Sequence, residues 1–475
     1  MIFPLEFPAC EVHTARTFPQ RPHRCRGGGH GWQTRTHTEK RTHKAELTDA
    51  QSLRGFALAT AAFLAIFAAT AVPIPLYADY QATIGLTTAD ISNTMFTYLI
   101  GVTLTLLFAG RISDSFGRVP IACLTVMLAI FGCIMFLRAA SGADVLAARF
   151  VQGLSAGFGM SAVSSLVIDC VGERHLGWGS TVASCGAMFG IMIGSIGVGV
   201  LYDVVENLTV IYGLMIAILA ICLFLMPLIH EPLDRTVSLR ASIRPRVFVP
   251  RDGRRLFVAV AVVYLATWMV GCFFQSFSAP IAYTCFGAAS PFAGSVILAL
   301  AMAPSVLGGP AVQKFHPKKA LAVSFAVVVA STAALALFVA TGAELAFMAA
   351  CAVFSFSMGA CLATALRMLL LEVNVLQVSA ILASINLVAY AGSAVTGLVA
   401  GALLGATSFP VVFAVMAVIL AASCAFVVAT VRAPRPRRKT ARLTLRAFHK
   451  KRNPALVPVD ETPAAAGEDA APAIG

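Results

Sequence analysis

The sequence predicts an all-α integral membrane protein, with twelve transmembrane helices in two pseudo-repeated six-helix bundles. Three observations carry this. Hydrophobic residues make up 58% of the chain and charged residues 12%, whereas soluble domains carry about 25% charged residues. Folded soluble chains need a wettable exterior, and this composition cannot supply one. Twelve apolar runs also reach the roughly 20 residues that a helix needs to cross hydrocarbon. Finally, the runs divide into two sets of six, at 54–230 and 256–431, joined by an arginine-rich linker at 231–255.

The runs lie near 55–78, 91–110, 119–138, 144–168, 177–201 and 208–230, then 256–280, 290–312, 319–341, 344–368, 377–404 and 409–431. They are too long and continuous for barrel strands, which alternate polar and apolar over shorter lengths. Backbone groups in lipid must be satisfied internally, which leaves helices.

Charge sets the topology. The net charge is +13, yet of the 35 lysines and arginines all but Arg138 and Arg149 fall on one side of the twelve-helix arrangement. Loops 79–90, 202–207, 281–289 and 405–408 contain none. The positive-inside rule then places both termini in the cytoplasm of a plasma membrane of bacterial inner-membrane type. Membrane topology explains the basic charge, and no nucleic-acid partner is expected. The linker residues Arg235, Arg240, Arg244, Arg246, Arg251, Arg254 and Arg255 are expected to lie against anionic lipid.

Residues 1–53 are rich in Arg, His, Gly and Pro and contain no apolar run, so they do not form a signal peptide. Two readings stay open: a disordered basic extension, or a start placed too early, with the true one at a non-Met codon near Leu47. No Met occurs between Met1 and Met95. Cys10, His13, His23, Cys25 and His30 lie in this extension, but the 12 cysteines show neither zinc spacing nor a disulfide framework. No metal or cofactor is expected. The tail 432–475, basic and then Pro/Ala-rich, is expected to be disordered.

The halves repeat one another. Gly110, Asp114 and Phe116 follow the second run, and Gly309, Gln313 and Phe315 follow the eighth at the same offset. Gly186, Gly190 and Gly194 stand four residues apart in the fifth run, as do Gly397 and Gly401 in the eleventh. Such faces let helices approach closely in lipid.

The sharpest local signal is Gly110-Arg-Ile-Ser-Asp114-Ser-Phe-Gly117-Arg118-Val-Pro120, in a short turn between the second and third runs. Gly117 permits a turn that other residues resist. Asp114 can face a helix amino terminus or a basic partner. Arg118 can pair with a carboxylate at another helix end, for which Asp169 is available. The segment resembles the signature loop of the major facilitator superfamily, although Ser115 and Val119 stand where basic residues are usual. The resemblance spans about 54–431. It implies a latch of Gly110, Asp114, Gly117, Arg118 and Asp169 that holds one face closed.

Arg149-Phe-Val-Gln152-Gly153-Leu-Ser-Ala-Gly157 resembles the fourth-helix motif of the superfamily's drug–proton antiporters, in which the Arg is implicated in proton coupling. An arginine within a span is costly and faces protein or water. Two readings stay open for Arg149: a proton-coupling residue assisted by Gln152, or a side chain that snorkels to headgroups. The fifth run lacks the Gly-Pro pair usual in these antiporters. No carboxylate stands mid-span in the first, fourth, seventh or tenth run; Asp79, Glu344 and Glu372 sit at helix ends.

The resemblance implies a cavity lined by helices one, four, seven and ten. Its candidate residues are Tyr77, Gln152, Tyr264, Trp268 and Gln275, with Asn386 and Tyr390 of the eleventh helix. Pro73, Pro75 and Pro280 suggest paired bends in helices one and seven. Sparse charge favours a neutral, amphipathic or weakly cationic solute.

The expected function is secondary active transport of small molecules by alternating access, as proton-coupled efflux of amphipathic compounds by a monomer. The alternative is an importer or facilitator of a small metabolite. A receptor or membrane enzyme is remote: His175, His230 and His316 are isolated, and no phosphate-binding Gly-x-x-x-x-Gly-Lys loop occurs.

Overall fold

The computed structural model describes residues 49–110, 112–171, 176–230, 254–288, 290–372 and 378–431. Residues 1–48 with their Cys and His, Arg111, His175, most of the linker and the tail from Arg432 lie outside the described residues. Twelve described helices are long and apolar enough to cross a membrane: α1 (Gln51–Ala71), α2 (Thr88–Ala109), α3 (Arg118–Leu137), α4 (Gly142–Cys170), α5 (Thr181–Val205), α6 (Leu208–Leu228), α7 (Arg254–Phe286), α8 (Pro291–Val312), α9 (Pro317–Thr341), α10 (Glu344–Leu369), α11 (Ser384–Ala406) and α12 (Phe409–Thr430). Twelve crossings bring both ends of the helical region to one face, here the terminal face. The other is the distal face.

Several helices that start at the distal face carry a polar cap, which satisfies otherwise orphaned backbone donors. Thr87 caps α2 in a reciprocal box: its hydroxyl accepts the Asp90 N–H at 3.1 Å, and the Asp90 carboxylate accepts the Thr87 N–H at 3.0 Å. Ser141, Asn207 and Ser290 cap α4, α6 and α8.

The first run reads differently in the structure. It was expected to span 55–78, but α1 stops at Ala71, and a tight turn leads into a short helix, Tyr77–Ile84. Pro73 and Pro75 are the cause, because each lacks the N–H that would continue the ladder. They end a helix rather than bend it, while Pro280 stays inside α7. π turns widen α2 at Thr105–Ala109 and α4 at Gly159–Val163; such turns inside α-helices often mark functional sites.

Glycines set helix approach within the first half. A Cβ on Gly190 would stand 2.7 Å from both the Leu64 carbonyl and Phe67 Cβ, and one on Gly186 would stand 2.9 Å from the Phe63 ring. Gly194 meets Ala68 in the same way. The three glycines thus seat α5 against α1. The matching pair on α11 divides: Gly401 faces Ser92 of α2, whereas a Cβ on Gly397 would meet nothing. Gly397 is therefore not a packing glycine, and its carbonyl instead accepts the Ser92 hydroxyl at 2.8 Å.

Large apolar side chains such as Phe224 and Ile221 of α6, Val399 of α11 and Val418 of α12 point outward and are exposed. In water such a surface would aggregate; in a bilayer it meets lipid tails.

Candidate functional site

Two prolines prepare the first half's polar centre. In a continuing helix the carbonyl of Ala69 would accept from residue 73, but Pro73 has no N–H. The N–H of Ile74, which would serve Thr70, bonds Ala71 instead at 3.1 Å. The carbonyls of Ala69 and Thr70 are left to side chains of α4. Gln152 donates its amide to Ala69 at 3.0 Å, and Arg149 donates Nη1 to Thr70 at 2.8 Å.

Arg149 is only 4% exposed. Its Nε donates to the Tyr77 hydroxyl at 2.6 Å, and Nη1 also donates to Gln152 Oε1 at 3.0 Å. Tyr77 passes the chain on to Thr94 Oγ1 at 3.0 Å, and Thr94 to the Ile91 carbonyl at 2.6 Å. The guanidinium carbon lies 5.3, 5.6 and 6.0 Å from the ring centres of Tyr77, Phe136 and Tyr98, where ring quadrupoles favour a cation. No ion pair to Arg149 occurs among the described residues. Carbonyls, hydroxyls and rings hold its charge in place of a carboxylate. The side chain is enclosed by protein, so the snorkelling reading does not describe it. Beside it the Tyr80 hydroxyl lies 3.1 Å from the Phe136 carbonyl and 3.0 Å from the Tyr212 hydroxyl; burial raises its pKa and keeps it a neutral donor.

A narrow cavity of about 30 Å³ lies between the halves, near mid-length of its helices. Its wall takes Phe67 from α1, Met95 and Tyr98 from α2, Met160 from α4, Met188 from α5, Trp268 and Gln275 from α7 and Tyr390 from α11. Trp268 and Tyr390 meet edge-on at 5.5 Å between ring centres. The expected lining by helices one, four, seven and ten, joined by residues of the eleventh, is corrected in part: α2 and α5 also contribute and α10 does not. Phe347 and Phe354 of α10 instead pack on Phe274 of α7. Of the candidate residues, Trp268, Gln275 and Tyr390 line the cavity. Tyr77 and Gln152 belong to the Arg149 network. Tyr264 is buried and Asn386 half-buried, both outside the wall.

Hydrogen bonds that join the halves gather toward the distal face. Ser92 of α2 bonds Gly397 of α11, Ser195 of α5 reaches the Ser295 carbonyl of α8 at 3.5 Å, and Ser290 bonds the Asp203 carboxylate. Asp79 accepts the Tyr202 hydroxyl at 2.9 Å on the same face. It lies at a lip, away from the cavity wall.

At the terminal face Gly117 takes φ 101°, closed to most side chains, and turns the chain into α3. Arg118 follows at the helix start. Its Nε meets Asp169 Oδ2 of α4 at 3.1 Å, and its Nη1 meets Asp114 Oδ1 at 3.3 Å and the Ser113 hydroxyl at 2.9 Å. Gly110, also expected in this group, ends the π turn of α2 with ordinary helical angles. The second half has a counterpart that the sequence reading missed: Arg367 near the end of α10 donates to the Gln313 carbonyl after α8 at 2.7 Å. The equal offset of Asp114 and Gln313 was the available signal. Asp169→Asn is expected to change stability by about 1 kcal/mol or less, as for partly exposed pairs, while slowing turnover several-fold. Thermal melts and transport rates of the same preparation check this.

The architecture and cavity define a multi-pass membrane protein of two related halves around a central space. The model of the Major Facilitator Superfamily matches residues 58–374, and the chain belongs to that family. Its relatives include the quinolone resistance protein NorA of Staphylococcus aureus, 24% identical over 204 residues, or 42% of this chain and 51% of that protein. Another is the multidrug resistance protein MdtL of Citrobacter koseri, 32% identical over 78 residues, or 16% of this chain and 20% of that protein. The chain spans about half the length of NorA in this match. Among solved structures, that of a point mutant of the nucleoside transporter NupG matches with a TM-score of 0.62 and 12% identity, covering 80% of this chain and 100% of that one. That likeness concerns the fold.

Proposed function

We propose that this protein is a secondary active transporter that moves small amphipathic molecules by alternating access, in the efflux direction and coupled to protons. The observation that carries the reading is the mid-membrane cavity built by both halves, rich in rings and methionines and without a charged side chain in its wall. A site shared by two repeats opens to either side as the repeats rock. The bonds between halves near the distal face favour a state closed on that side. With the termini cytoplasmic and the membrane of bacterial inner-membrane type, the distal face is the outside. The Asp114–Arg118–Asp169 cluster acts as a latch on the inner face of the first half.

Proton coupling is assigned to Arg149 and Gln152 with the Tyr77 hydroxyl. The resistance functions in the names of NorA and MdtL support efflux. A second reading, import or facilitated diffusion of a metabolite, draws support from the α5 glycine run without proline and from the lack of a charged cavity residue. It fits the nucleoside transporter neighbour as well.

The test is a cell host stripped of its own exporters, given toxic amphipathic compounds and, separately, nutrients. Efflux predicts lower compound accumulation with the wild-type protein, cancelled by an uncoupler. Faster nutrient uptake with no effect on compounds would replace efflux with the second reading.

A further inference from the structure

The cavity wall specifies more than an amphipathic solute. Four rings, those of Phe67, Tyr98, Trp268 and Tyr390, and the methionines Met95, Met160 and Met188 line it. Rings and thioethers favour a flat aromatic partner, through stacking and sulfur–ring contacts. Gln275 is 7% exposed and lines the same space, yet neither its amide nor the Tyr390 hydroxyl bonds any described residue. A glutamine amide places a donor and an acceptor side by side; on the cavity wall it faces space that water or a ligand edge fills. Its matching ligand edge is an acceptor next to a donor.

Charge narrows the class. None of the lining residues is acidic, so a cation would rest on the rings alone, and the fixed charge nearby decides. Tyr98 joins the cavity to the polar centre, for its ring also lies 6.0 Å from the Arg149 guanidinium carbon. The positive potential behind that ring opposes a cation in front of it.

Resting on the transport reading above, we infer that the central cavity selects uncharged planar heteroaromatic compounds that carry a lactam-like donor–acceptor edge, read by the Gln275 amide. At about 30 Å³ the present space holds only one or two waters. The ligand therefore enters the state in which the halves have parted, between the same two walls.

Quinolin-2(1H)-one serves as the probe, with naphthalene as the apolar isostere and N-methylquinolinium as the cation. Tritiated quinolin-2(1H)-one is equilibrated by dialysis with the purified full chain in detergent, and the other two compete. Wild type is expected to prefer the lactam about tenfold over each competitor, the worth of two modest hydrogen bonds. Gln275→Leu is expected to abolish the preference over naphthalene while retaining naphthalene binding. Equal binding of all three by wild type, tighter binding of the cation, or an unchanged preference in Gln275→Leu would overturn the inference. If Gln275→Leu does not fold, Gln275→Met replaces it with an unbranched chain, and the wild-type ranking decides in any case. Binding separates this inference from the transport reading. Lactam preference without transport by proteoliposomes counts against transport alone, and transport of other solutes without lactam preference counts against this inference alone.

Discussion

Arg149→Ala is expected to abolish transport, a fall of at least about tenfold, and to lower thermal stability in detergent. The side chain closes the broken end of α1 by bonding the Thr70 carbonyl, and it holds Tyr77 and Gln152. Removing it leaves these buried groups to find new partners, at about 1–3 kcal/mol each. Arg149→Lys keeps the charge but loses the fork that reaches several acceptors at once, and intermediate stability is expected. Tyr77→Phe removes one acceptor and is expected to be the mildest of the three. Solute flux in proteoliposomes, with and without a pH gradient, together with melting temperatures, reads all of this. An Arg149→Ala protein with wild-type melting and gradient-dependent flux would refute the assignment.

Gly359→Ala is expected to be the most damaging substitution of a single small residue in the second half. Gly359 of α10 lies directly against the Ser305 carbonyl of α8, just after the break at Ala303–Pro304, and Gly308 of α8 lies against the Phe356 carbonyl. An added methyl has backbone on its far side and cannot be accommodated by a rotamer change. Overpacking of this kind costs about 1–3 kcal/mol or more, so loss of monodisperse protein or a clear fall in melting temperature is expected. Gly397→Ala is the matched control, because a Cβ there meets nothing; its effect is expected to stay within about 0.5 kcal/mol. Similar melting of the two variants would refute the glycine-crossing account.

The contrast between Gly359 and Gly397 shows where sequence reading stops. The twelve spans are legible because hydrocarbon thickness imposes a length on every one of them. Which face of a span points inward is not, since lipid tails and protein interiors are both apolar and leave little periodic contrast. Gly397 was therefore placed in a packing face that it does not occupy, while Gly308 and Gly359 went unnoticed. The same blindness assigned the cavity to α10 and missed α2 and α5, whose lining residues Met95, Leu99, Met188 and Ile191 look like ordinary span residues.

Arg149 and the Asp114–Arg118–Asp169 cluster were readable for the opposite reason. Charge inside or beside lipid must be compensated, so Arg149 and the Arg118–Asp169 pair draw notice without any structure. The backbone partner of Gln152, beside Arg149, was also latent in the sequence. Proline at 73 implies a free carbonyl at Ala69, four residues earlier. The shortening of α1 and the seat of the α4 side chains follow from that one substitution of ring for N–H. The distance between α1 and α4 does not.

The central claim, that the halves must part at the distal face for solute to pass, has a direct test. Asp203→Cys combined with Ser290→Cys places two thiols where the Ser290 hydroxyl of the second half now bonds the Asp203 carboxylate of the first, at the exposed distal rim. A short, cleavable bifunctional thiol reagent joins them, and wild type with its own 12 cysteines is treated alike as the control. The account predicts that linking stops solute flux in the double variant alone and that cleaving the link restores it. Flux at the uncrosslinked rate with the halves joined would contradict it.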